Sequence, residues 1–185
     1  AYMMELGSRT PIDSAVIENG KFVFEGKADT AVVRQIMANR FGTALILENG
    51  NINVELGPNG KVTGTLLNDK MSEVMTKERE FGQEYRDFAN GVDRNATNRD
   101  SIMKIFDDFM KPFNEKNKAF YEETFKANKD NALGAYALST LLRFSGTEEF
   151  ESYYNEAGEV VKNYPFVQKK IAQIENTKKT AEGMP

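Results

Sequence analysis

Acidic residues cluster at Asp107-Asp108 and at Glu78 and Glu80. Paired carboxylates can divide acid and base work, or hold a divalent cation. On a helix, however, adjacent residues point about 100° apart. Both pairs also flank an apolar stripe, which reads as solvated surface. The run Gly57-Pro58-Asn59-Gly60-Lys61-Val62-Thr63-Gly64 places glycines near a Lys and a Thr, as a phosphate-binding loop does. It lacks the Gly-Lys-Ser/Thr ending and leads into a strand, where no helix N-terminus supplies N–H groups, so it reads as a turn. The other usual reagents are missing from the composition, which has no Cys and no His. That removes thiol nucleophiles, disulfide exchange, the common zinc ligands and imidazole acid/base chemistry. The expectation is a chain with no catalytic, cofactor-binding or metal-binding residue of its own.

Binding surfaces are the next resource. Phe144, Phe150, Tyr153, Tyr154, Tyr164 and Phe166 form the densest aromatic set. They could line a groove for a ligand or partner protein, or pack helix against helix. Met71 and Met75, one turn apart, read as adaptable core filler. Asn95-Ala96-Thr97 fits the N-glycosylation pattern, with Thr97 also placed as a helix cap. Asp13-Ser14-Ala15, Asp29-Thr30-Ala31 and Asp100-Ser101-Ile102 resemble the Asp-Ser/Thr-aliphatic site of some bacterial O-glycosylation systems, and turn and cap chemistry explains them as well.

The elements that must carry these residues change character near Leu45–Asn68. Before it, apolar residues alternate; after it, they recur at helical spacing. Asp13–Glu18 and Lys21–Glu25 flank Asn19-Gly20, and Thr43–Glu48 and Asn51–Leu56 flank Asn49-Gly50. Both are expected hairpins, because Asn-Gly tolerates positive φ at both turn positions. Ala31–Ala38 is an expected strand, and Pro58-Asn59-Gly60 turns into Lys61–Leu66. Asn68 is placed as the N-cap of a helix carrying Met71, Val74, Met75, Phe81, Tyr85 and Phe88 and ending near Asn90-Gly91.

A second stripe, Ile102, Phe106, Phe109, Phe113, Phe120 and Tyr121, begins after Thr97 and Asp100, with Pro112 expected to kink or divide it. Ala132–Leu142 is apolar nearly all round and is the expected buried helix. Thr147–Ala157 and Pro165–Thr180 complete the set. The fold class is therefore α+β: an antiparallel β-sandwich or partly open barrel over residues 1–67, a helical lobe packed on it over 68–180, and the start of a linker at 181–185.

Hydrophobic content of 40% suits a globular domain, and no apolar run nears the roughly 20 residues of a membrane span. A net charge of -4 argues against nucleic acid as a partner. Ala1–Leu6 already reads as strand, so the chain is expected to begin in mid-structure.

Three groups of residues resemble one family. Pro11–Ile17 with Gly20–Gly26 looks like the first hairpin of the uncharacterised N-terminal domain that precedes the thioredoxin-like domain in TlpA-like thiol-disulfide oxidoreductases of the bacterial envelope. Leu47–Ile52 and Val62–Asn68 are similar to its later strands and its sheet-to-helix junction. Lys178–Pro185 looks like the approach to the Gly-x-Pro-Ala-Pro-Asp-Phe segment that opens the redox domain. The resemblance implies a non-catalytic accessory domain on the periplasmic side of the envelope, with the Cys-x-x-Cys pair beyond Pro185. Its implied partners are a protein, its own thioredoxin-like domain or a second copy, and no cofactor. The alternative is a stand-alone periplasmic or cell-surface module that binds glycan or peptide.

Overall fold

The computed structural model describes residues 1–93 and 99–181. It is α+β, with the strands first and the helices after them. Strands β1 (Tyr2–Glu5), β2 (Pro11–Ser14), β3 (Val32–Ala38) and β4 (Phe41–Leu47) form an antiparallel sheet in the order β2-β1-β3-β4. β5 (Asn53–Glu55) and β6 (Lys61–Thr63) form a separate two-stranded sheet. The four-stranded sheet is not closed into a barrel. Met3, Ile36 and Thr43 lie in one row of its register and Val33 and Ile46 in another, on the opposite face, and all five are buried. Because successive residues of a strand point to opposite faces, both faces of this sheet are covered over part of their area.

The turns show where local chemistry sufficed. Asn19 (φ 51°) and Gly20 (φ 75°) make the expected tight turn, with Glu18 and Lys21 exchanging two 2.9 Å backbone hydrogen bonds. Pairing stops at that single bridge, so the expected hairpin arms do not form. Val16 is 78% and Val23 68% exposed, so they bring no apolar burial to the arms, and an isolated two-stranded hairpin is marginal in water.

The Asn49-Gly50 hairpin does not form at all. The Asn49 side chain accepts from Ala28 N–H at 3.0 Å and donates to Ala28 C=O at 2.7 Å, and β5 pairs with β6 across the Pro58-Asn59-Gly60 turn. A side-chain amide that finds a backbone partner elsewhere competes with the turn its own residue would make. β4 instead pairs with β3, across Asn39-Arg40, where Asn39 takes φ 54°.

Helix α1 (Leu66–Gly91) begins two residues before the expected cap, and Asn68 is fully buried inside its first turn. Its amide accepts from Ile46 N–H at 2.9 Å and donates to Ile46 C=O at 2.7 Å and to Thr65 Oγ1 at 2.8 Å. One turn on, Ser72 Oγ accepts from Val62 N–H at 2.9 Å and donates to Val62 C=O. Asp69 caps Gly64 N–H at 3.1 Å, and Arg79 reaches Gly60 C=O at 3.1 Å. Residues 68 and 72 lie on one helix face, so a single face is bonded to the backbones of β4 and β6. Ser72→Ala strands two backbone groups of the buried Val62. It should cost about 1–2 kcal/mol in urea denaturation, and an unchanged midpoint would show that this bridge carries no stability.

The compact units divide between Gln83 and Glu84, inside α1, because the first half of the helix is bonded into the β unit. In the second unit Tyr85 and Phe88 at the end of α1 meet Phe106, Phe109 and Phe113 of α2 (Arg99–Ala127), with Phe88 stacked on Phe109 at 3.8 Å between ring centroids. Pro112 does not divide α2. It and Asp108, whose carbonyl loses its N–H donor there, are both exposed to water.

Helix α3 (Ala132–Leu141) is the buried helix its sequence announces, with seven of its residues buried. Asn131 caps it, accepting from Leu133 N–H at 2.9 Å and Gly134 N–H at 3.2 Å. It packs against α2, the short α5 (Glu159–Lys162) and α6 (Pro165–Ala181). α4 (Thr147–Glu156) lies between α3 and α5 in sequence and places Phe150 and Tyr153 in the core. α5 is an element the apolar period misses, being one turn long; Asp130 Oδ1 holds its start by accepting from Val160 N–H at 2.9 Å.

Candidate functional site

A cluster of titratable side chains joins α2 to α4. Lys118 and Glu122 stand one turn apart on α2, and Glu149 and Tyr153 one turn apart on α4. The buried Tyr153 hydroxyl is 2.5 Å from Glu122 Oε1 and 3.2 Å from Glu149 Oε1, and the Lys118 ammonium pairs with that same Glu149 oxygen. Burial first, and then the adjoining Glu122 carboxylate, pushes the Tyr153 phenol well above its ordinary 10.0. Hydrogen bonding to Lys118 holds Glu149 below its ordinary 4.5, against the opposing effect of desolvation.

A phenol shifted that way gives up no proton near neutrality, and Lys118 is spent on Glu149. The four groups satisfy one another, which makes the cluster a polar tie between helices rather than a reagent. Only its i, i+4 spacings are visible in sequence; that they face each other across 31 residues is not.

Glu149 has a measurable consequence. Its folded pKa is depressed, so its contribution is full above the unfolded value and is lost as pH falls from about 4.5 through the folded one. In Glu149→Gln, melting temperature should fall less steeply over that acid window than in the unaltered chain. Parallel acid profiles would show that this carboxylate contributes nothing.

The carboxylates singled out in sequence do not converge. Asp107 and Asp108 are exposed on α2, and Glu80 pairs with Lys77 at 2.7 Å. Among the described residues no group of three or more carboxylates could hold a metal ion. Gly57–Gly64 is the β5–β6 turn, β6 and the approach to α1, as expected.

The aromatic set is distributed among packing contacts. Phe150 is fully buried, Tyr153 meets Phe125 edge-on at 5.8 Å, Phe144 stacks with Tyr121 at 6.4 Å, and Tyr164 tilts against Phe166 at 5.6 Å. Tyr154 is half-buried beneath the Lys162 ammonium, 5.8 Å from its ring centroid. Met71 is fully buried, as core filler should be. Asp13 lies within β2 and not in a turn, and its carboxylate accepts from Ser14 N–H at 2.7 Å. Asn95-Ala96-Thr97 and residues 182–185 lie outside the described residues.

The outer strands of the four-stranded sheet are β2 and β4, and both edges carry obstacles to another strand. On β4, Asn68 occupies the N–H and C=O of Ile46. On β2 the register skips Ile12 in a bulge, and the Asp13 carboxylate covers Ser14 N–H. A bulge, a proline and a charge on a four-residue edge strand are devices that discourage strand addition.

A family model covers the six strands and the start of α1, ending 12 residues before the compact unit does at Gln83. Residues 1–71 match a domain of unknown function (DUF4369). An uncharacterised domain thus stands at the N-terminus, and its match runs through Asn68, the residue that closes the β4 edge. No curated protein and no solved structure matches the chain. Among the described residues no helix is long and apolar enough to cross a membrane.

Proposed function

We propose that this chain is the non-catalytic accessory part of a bacterial envelope thiol-disulfide oxidoreductase, docking, dimerising or spacing a thioredoxin-like domain that follows Pro185. The observation that carries the reading is an uncharacterised domain at the N-terminus of a chain without a single Cys or His. Disulfide exchange needs a thiolate, so any redox chemistry must be housed elsewhere. The sequence resemblance at Pro11–Gly26, Leu47–Ile52, Val62–Asn68 and Lys178–Pro185 supplies the kind of neighbour. Because both edges of the four-stranded sheet carry obstacles to strand addition, docking runs over side-chain surface and not by an added strand. Envelope localisation, on the periplasmic side, follows from the same reading.

The test is to sequence the gene past Pro185 and assay insulin reduction by the longer product and by this chain alone. A downstream domain with two cysteines, active only when present, is the expected result. A reading frame without that cysteine pair, or turnover by the 185 residues alone, would overturn the proposal.

A further inference from the structure

We draw no further inference here: the strongest candidate, the exposed apolar side chains Ile12, Val16, Ile17 and Val23 along and just beyond the β2 edge of the sheet, is an unpartnered surface on which nothing in the structure shows what covers it.

Discussion

Replacing Asn68 by alanine should destabilise the β unit by about 2–4 kcal/mol, the cost of leaving a buried backbone N–H and C=O without partners. The side chain is fully buried, and its amide presents one acceptor and one donor to the two polar groups of Ile46, at 2.9 and 2.7 Å. A peptide group of a neighbouring strand would offer the same pair, so Asn68 stands in for the strand that β4 lacks on this side. Asn68→Asp should be no milder, since its carboxylate can accept from Ile46 N–H but faces Ile46 C=O with a second acceptor. Thermal melts followed by far-ultraviolet circular dichroism measure the loss. Hydrogen exchange localises it, with the Ile46 amide losing protection in either variant. An Asn68→Ala protein within about 0.5 kcal/mol of the unaltered chain would mean that water replaces the bridge at no cost.

Gly134→Ala should also be destabilising, by about 2–3 kcal/mol, although helix propensity alone argues for a gain of about 1 kcal/mol. A Cβ at this position in α3 would lie 1.8 Å from the backbone oxygen of Asn128 and 2.7 Å from its carbonyl carbon. No flexible side chain can yield there. The obstacle is the turn between α2 and α3, whose Asn128 C=O also accepts from Asn131 N–H at 3.3 Å. Steric overlap with fixed backbone therefore outweighs the entropy that alanine saves in the unfolded chain. Gly91→Ala is the control, because among the described residues a Cβ at the end of α1 meets nothing within 4 Å. Parallel denaturation should show Gly134→Ala falling and Gly91→Ala level or slightly raised. A Gly134→Ala protein as stable as the unaltered one would show that the α2–α3 turn can shift.

The polar ties found in the two units have different standing. Asn68 and Ser72 satisfy buried backbone groups, where an unmade bond is expensive, and so they bear on stability directly. The Lys118–Glu149 pair is partly open to water, with 27% and 36% of the side chains exposed, and screening leaves it little net effect near neutrality. Its significance is positional: together with Tyr153 and Glu122 it ties α2 to α4. Each of these side chains is engaged by a partner within its own unit.

What the sequence by itself determined was whatever depends on neighbouring residues. The apolar period marks α1 through Gly91, the Ile102–Tyr121 stripe marks α2, and the nearly unbroken apolarity of Ala132–Leu141 marks the most buried helix. Asn19-Gly20 turns where its torsional freedom says it should, and Pro58-Asn59-Gly60 turns between β5 and β6 as expected. The tertiary structure alone decided which strands pair, sending β4 to β3 and β5 to β6, and turned Asn49 and Asn68 from turn and cap residues into bridges to Ala28 and Ile46. The physical reason is that an asparagine amide bonds equally well to nearby backbone or to a strand 22 residues away. Only the assembled sheet, with its open edge at Ile46, settles which bond is worth more.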